Sequence, residues 1–425
     1  MNRTFEKYKW INLMTFAVMY NFVYLGRFNI NNLMNYIAGD LVLTDGQQEA
    51  ISMSVFISYA LGSFINGYLA DRFGAKKIVV IGGLFTCVFN VCVPFQDNWT
   101  SVLLIWFLNG YFQSMIWVGG ISFLSNWWQT GERGKGIGVA NFFSGMSHAT
   151  AYVLPVMVMP IWPAMGWKIS FIIPIGVLFL FVVLFAIFAR ETPESTGLEP
   201  YIIENVRYRQ REEDLTKIAQ NGRLPWSTLF RQSKFCWWCM IAMLSSICRY
   251  GLLNWISLYY DNEIGGTLLS NSFSNLTLPV GMAFGTLVIT WFAGTKMPGN
   301  KGIIVTAMAA VCGTLIIVFP MIDSTQSVLI GIFFAGFTLY GINGILWVHA
   351  IDQGCRVFAG SAAGILNGFA YLGACIEGYL FPFVMKVFGS YITVFVVMEM
   401  LCILMVICGM VISKKNTIVE PEVHS

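Results

Sequence analysis

Apolar runs close to the length that crosses a bilayer recur along the whole chain, broken by short polar stretches and by one long one. A helix rises ~1.5 Å per residue, so about 20 apolar residues span the hydrocarbon. The pattern predicts twelve such helices, at 11–36, 48–70, 78–96, 100–124, 136–160, 167–189, 235–260, 270–294, 302–321, 326–350, 357–384 and 389–412. The short alternating segments of a membrane barrel are absent. The long polar stretch, 190–234, falls between the sixth and seventh helices. It divides the chain into an N-terminal half (1–189), a central loop (190–234) and a C-terminal half with a short tail (235–425). The expected class is an all-α membrane protein of two six-helix halves.

Composition agrees: 56% of the residues are hydrophobic and 11% are charged, which excludes an ordinary soluble domain. Charge then orients the chain. With the N-terminus inside, 21 of the 25 Lys and Arg fall in cytoplasmic segments. Only Lys168 and Lys386 fall outside, and Arg27 and Arg249 fall within helices. The first ten residues are polar, and no small-residue cleavage site follows them, so the first helix is expected to be retained. Both termini are expected in the cytoplasm, with the protein in a bacterial inner membrane. The ten cysteines are scattered through apolar segments as small hydrophobes. Cys236-Trp-Trp-Cys239 has redox spacing but opens a membrane helix, with no βαβ context. No metal or cofactor is expected, nor nucleic acid, and no nucleophile–base constellation marks an enzyme.

The two intramembrane arginines carry the chemistry. An arginine at the centre of a membrane helix costs about 2.5–3.5 kcal/mol on insertion scales and is by default functional. Flanking charges put Arg27 and Arg249 within about 4 Å of the midplane, each on the first helix of its half. Matching halves with a midplane site are expected of a secondary transporter. Guanidinium forks suit bidentate recognition of an anion and stay charged when desolvated. The alternative is neutralisation by protein carboxylates, for which only Glu377 and Glu399 lie well inside the apolar spans.

After the second helix comes Gly67-Tyr-Leu-Ala-Asp71-Arg72-Phe-Gly74-Ala-Lys76-Lys77. This resembles the signature loop of the major facilitator superfamily, a conformational loop whose key positions here are Gly67, Asp71, Arg72 and Gly74. The loop at 294–301 is a degenerate copy without the aspartate. Further stretches resemble the organophosphate:phosphate antiporter family, which includes glycerol-3-phosphate and hexose-phosphate transporters. They are Tyr20-x-x-x-Tyr24-x-x-Arg27-x-Asn29, Gly110-Tyr-Phe-Gln113-x-Met-x-Trp117, Trp127-Trp128-x-x-x-Glu132-Arg133-Gly134, Asn141, Arg249-Tyr250-Gly251 to Trp255, and His349-Ala350 with Ala359 to Gly364. The resemblance implies the major facilitator fold, and it implies that Arg27 and Arg249 match the family's phosphate-binding arginines.

Three positions depart from the family pattern: Ser63 for a lysine, Ser144 for a histidine with His148 one turn along, and Asn254 for an acidic residue. Fewer site cations suit a less highly charged anion, such as a sugar acid or sulfonate. The expected substrate-binding set is Arg27, Arg249, Tyr24, Tyr20, Trp117, Tyr250, Asn254 and His349, with Glu377 and His148 as candidates for proton coupling. The expected function is secondary transport of a small organic anion by alternating access, against a counter-anion or proton, by a monomer. A proton-coupled sugar-acid symporter and a membrane sensor of a sugar phosphate are the alternatives.

Overall fold

The computed structural model describes residues 3–201, 205–232, 234–263, 274–322 and 325–414. These residues are all helix, turn and loop, in two halves of six spans each, the first span of the first half being broken into three helices. The first half holds α1 (Arg3–Val23), α2 (Leu25–Asn32), α3 (Met34–Leu41), α4 (Asp45–Phe73), α5 (Ala75–Cys92), α6 (Trp99–Ser125), α7 (Arg133–Val158) and α8 (Ile169–Phe188). Two short helices follow in the connection, α9 (Val206–Gln220) and α10 (Trp226–Phe230). The second half comprises α11 (Phe235–Glu263), α12 (Ser274–Thr295), α13 (Lys301–Val318), α14 (Thr325–Gly354), α15 (Ala359–Phe388) and α16 (Tyr391–Ser413). Ten helices among the described residues are long and apolar enough to cross a membrane.

The first span differs from the single helix expected over 11–36. It begins at Arg3 and breaks at Tyr24 and Leu33 into α1, α2 and α3. A break inside a membrane leaves carbonyls that water cannot satisfy, so side chains must do so. Gln113 Nε2 donates to Val23 O (3.3 Å), and Asn109 Nδ2 and Asn90 Nδ2 both donate to Gly26 O (2.8 and 3.1 Å). The break therefore sits directly beside Arg27, and buried amides of α5 and α6 hold it. The polar stretch 190–234 likewise contains the two short helices α9 and α10, which the hydrophobic pattern does not announce.

The halves meet along two helix pairs, α4 with α15 and α7 with α12. Both crossings are close-packed at the end where the N-terminus and most basic residues lie, here called the basic end. A Cβ on Gly134 would lie 2.8 Å from Gly294 Cα, and one on Gly67 would lie 2.8 Å from Gly360 C. Only glycine permits backbones this close. Gly74 has φ +101°, which allows the tight link from α4 to α5. Glu191 then accepts from Ala75 N and Lys76 N (2.7 and 2.8 Å), capping α5. Arg72 is exposed and donates to Tyr68 Oη (3.2 Å).

Charged and polar contacts close the basic end across the halves. Asp71 Oδ1 accepts from Gly360 N (2.8 Å), and Asp71 Oδ2 accepts from Ser361 N and Ser361 Oγ (both 2.7 Å). Buried Arg133 pairs with Asp352 (3.0 Å), which also pairs with Lys301 (2.8 Å). Helix α9 lies over the turn between α14 and α15: Tyr208, Leu215, Cys355 and Phe358 form one apolar cluster. Arg133 Nη2 also donates to Tyr208 Oη (2.5 Å), and Arg356 donates twice to Glu212 Oε1 (2.8 and 2.7 Å).

Cys355 is buried under α9, and burial pushes its thiol up to about 11. At neutral pH the reactive thiolate is then on the order of one part in 10⁴. A thiol reagent is therefore expected to label exposed Cys236 readily and Cys355 at least a hundredfold more slowly. Mass spectrometry of maleimide-treated protein checks this. Equal labelling rates would show that α9 does not cover the turn.

Candidate functional site

Where the halves face each other at mid-depth they enclose a narrow cavity. From the first half it is lined by Tyr20, Tyr24, Tyr59, Trp117, Asn141 and Ser144. From the second it is lined by Arg249, Tyr340, Asn343, Trp347, Asn367 and Tyr371. Arg27 lies behind Tyr24 and Tyr59, with its guanidinium carbon 4.6 and 4.4 Å from their ring centroids. Its Nε donates to Gln113 Oε1 and its Nη1 to Tyr371 Oη, so it already bridges the two halves. Its Nη2 is buried without a partner. Arg249 is arranged in parallel, 4.6 Å from the Tyr250 ring and 5.5 Å from the Tyr340 ring. Its Nη2 donates to Ser246 Oγ (3.3 Å), and its Nε has no partner.

Among the described residues neither arginine forms an ion pair. The carboxylates expected as alternatives lie elsewhere. Asn254 Nδ2 donates to both oxygens of Glu377 (3.3 and 3.4 Å). Glu399 faces Gly313 of α13, inside the second half. Two buried cations, Arg249 in the cavity wall and Arg27 just behind it, thus have only tyrosine π-faces and neutral donors or acceptors around them. A tyrosine face stabilises a desolvated guanidinium by about 0.5–2 kcal/mol, less than a full counter-charge would.

The structure places Arg249, Tyr20, Tyr24 and Trp117 in the lining of this cavity, with Arg27 packed behind Tyr24 and Tyr250 packed against Arg249. His148 joins them, its ring against Tyr24 (4.6 Å) and Phe28 (5.5 Å), with no side chain bonded to either ring nitrogen. Three expected residues lie elsewhere. Asn254 and Glu377 pair with each other outside the cavity lining, and His349 stacks on Trp238 at 4.1 Å near the basic end. Sequence reasoning left out of the site Tyr59, Gln113, Tyr340, Asn343, Trp347, Asn367 and Tyr371. Tyr340, Asn343 and Trp347 share one stripe of α14 at spacings of three and four, as do Asn367 and Tyr371 on α15; these polar and aromatic stripes were the available signal.

The departures from the family pattern have structural counterparts. Ser63 donates to Tyr59 O (2.8 Å) and accepts from Asn367 Nδ2 (3.1 Å), a neutral link between the halves. Ser144 Oγ and Tyr340 Oη lie 3.3 Å apart, a second such link.

Comparison with known proteins agrees with this architecture. The family described as Major Facilitator Superfamily matches residues 16–376. Over 398 residues the chain is 24% identical to the "Probable hexose phosphate transport protein" of Chlamydia trachomatis, covering 88% of this chain and 85% of the relative. It is 25% identical to the "Glycerol-3-phosphate transporter" of Bacillus subtilis, covering 75% and 73% of the two chains. It is also 25% identical to the "Probable sulfoacetate transporter SauU" of Cupriavidus necator, covering 88% and 87%. Among solved structures, the outward conformation of the transporter FucP aligns with a TM-score of 0.71 at 13% identity, over 95% of this chain and 99% of that one.

Proposed function

Because the chain belongs to the Major Facilitator Superfamily, whose members are membrane transporters and not enzymes, we propose that it carries a small organic anion by alternating access, bound between Arg27 and Arg249. One observation carries the reading. Among the described residues, each half contributes a buried membrane arginine without a carboxylate partner, and each keeps an unpartnered N–H. Buried charges are paired or ligand-bound, and an anion bridging the two guanidinium groups supplies the missing charge. The relatives' named cargoes include a hexose phosphate, glycerol 3-phosphate and sulfoacetate, all organic anions.

The same charge balance supports exchange over net uptake. An empty cavity holds two uncompensated cations that repel each other across the halves. The anion removes that repulsion and lowers the barrier to rearrangement, so the loaded carrier turns over and the empty one lags. Differential stabilisation of the occluded state is what a coupled cycle requires. The basic end, closed by Asp71, Arg133 and Asp352, is taken as cytoplasmic on the strength of the positive-inside bias.

Proteoliposomes preloaded with candidate anions test this. Counterflow of a labelled anion is expected with the right internal anion and to fall at least tenfold without one. Uptake driven by a pH gradient with no internal anion, lost in Glu377→Gln or His148→Ala, would replace exchange by proton symport. Saturable binding with no flux under any condition would leave a sensor.

A further inference from the structure

The cavity is layered along the membrane normal. Gln113 and Tyr371 bond Arg27, and Tyr340 lies against Arg249, so these three residues mark the arginine level on α6, α15 and α14. From each marker, the remaining lining residues lie toward the basic end. Trp117 is four residues past Gln113 on α6, and Asn367 is four before Tyr371 on α15. Asn343 and Trp347 are three and seven past Tyr340 on α14. On α7, Asn141 is three before Ser144, which meets Tyr340. At ~1.5 Å per residue all five sit roughly 4–11 Å below the arginines.

Among the described residues this lower layer contains no charged side chain, yet three of its hydrogen-bonding groups have no partner. The indole N–H of Trp117 and that of Trp347 are buried without a partner, as is Asn141 Oδ1. The two indoles come one from each half and meet edge to face at 5.5 Å. Asn141 Nδ2 is already used, on Ile137 O (2.9 Å). Asn343 adds an amide to the same wall. An aromatic wall with spare donors and acceptors and no cation suits hydroxyl groups, which donate and accept at once and pack their carbon chain on the rings.

Resting on the arginine-clamp reading, we propose that the substrate has a single anionic head, held by the arginines, and a hydroxylated carbon chain that points toward the basic end. The indoles and amides of Trp117, Trp347, Asn141 and Asn343 select that chain. A second anionic group would find no cation in the lower layer, so doubly headed anions such as dicarboxylates are excluded from it.

Binding to the purified full-length protein, read by tryptophan fluorescence or calorimetry, tests the assignment with matched probes. Gluconate is set against hexanoate, and glycerol 3-phosphate against propyl phosphate. The hydroxylated member of at least one pair is expected to bind about tenfold or more tightly, the sum of a few hydrogen bonds to otherwise unpaired groups. Trp347→Phe keeps the ring and removes the N–H. It is expected to weaken the hydroxylated probe about fivefold to tenfold and to leave its unhydroxylated partner within twofold. Asn343→Ala serves as a second variant if the first does not fold. Equal affinities within both pairs, or an equal loss for both members in the variants, would overturn the layered assignment while the clamp stood. If no probe depends on Arg27 or Arg249, the clamp reading falls and this inference with it.

Discussion

Replacing Arg249 by methionine will abolish transport and leave the empty protein at least as stable as the wild type. The two effects have one cause. Arg249 is buried, bonds only Ser246, and has no carboxylate partner among the described residues. Its charge therefore burdens the empty protein, by about 2.5–3.5 kcal/mol on insertion scales, against about 0.5–2 kcal/mol returned by Tyr250 and Tyr340. With an anion bound the sign reverses. Losing one partner of a buried charge pair costs about 2–5 kcal/mol, or roughly thirtyfold to several thousandfold in binding. Arg27 will behave differently. It also donates to Gln113 and Tyr371, so Arg27→Met leaves the buried Gln113 oxygen without its donor, at about 1–3 kcal/mol, and should lower the melting temperature as well as transport. Counterflow with thermal melts in detergent reads both quantities. A lysine at either position keeps the charge and loses the fork, so transport should fall less than with methionine. Full transport in both methionine variants would end the clamp reading. A large loss of stability in Arg249→Met would mean that a structural partner holds that arginine.

How far the chain can be read without its structure depends on the kind of signal. Apolar length reveals spans because a bilayer imposes one thickness, and the twelve segments follow from it. The intramembrane arginines stand out for the same reason, since charge is costly there. The break at Tyr24 left no comparable trace. It depends on Asn90, Asn109 and Gln113, which lie 61 to 90 residues from the carbonyls or amides they satisfy, and no local pattern reports such pairing. His349 stands out in the sequence only by resemblance, and in the fold it stacks on Trp238, away from the cavity lining. Tyr59 and Tyr371 were hidden by composition. In a chain with 17 tyrosines and 35 phenylalanines, one more aromatic carries little information until its ring is found 4.0 Å from another across the halves.

Asp71→Asn should unlock the basic end while the site itself stays intact. The carboxylate sits at the N-terminus of α15, where backbone N–H groups and the helix dipole favour an anion. Three of its four hydrogen bonds cross from the first half to the second, and the fourth, from Ser122 Oγ (2.8 Å), fixes it within its own half. An asparagine keeps one acceptor oxygen and turns an NH₂ toward the other backbone N–H, so that bond fails and the serine bond beside it must reverse. Charge-assisted bonds of this kind contribute about 1.5–3 kcal/mol each, and a net loss of about 1.5–3 kcal/mol shifts the closed–open balance roughly tenfold to a hundredfold. The remaining Arg133–Asp352–Lys301 pairs limit the shift, so the protein still closes for part of the time. A cysteine placed at Asn343, on the lower wall of the cavity, makes this measurable. Its alkylation from the basic side should quicken at least tenfold in the Asp71→Asn background, and counterflow should fall about tenfold. Equilibrium affinity for the anion should change less than threefold, because Asp71 is not part of the cavity lining. Arg72→Ala, one residue along and exposed, should leave both rates unchanged. If Asp71→Asn alters neither rate, the closure at Gly67 and Gly360 rests on backbone packing alone, and the aspartate only caps a helix.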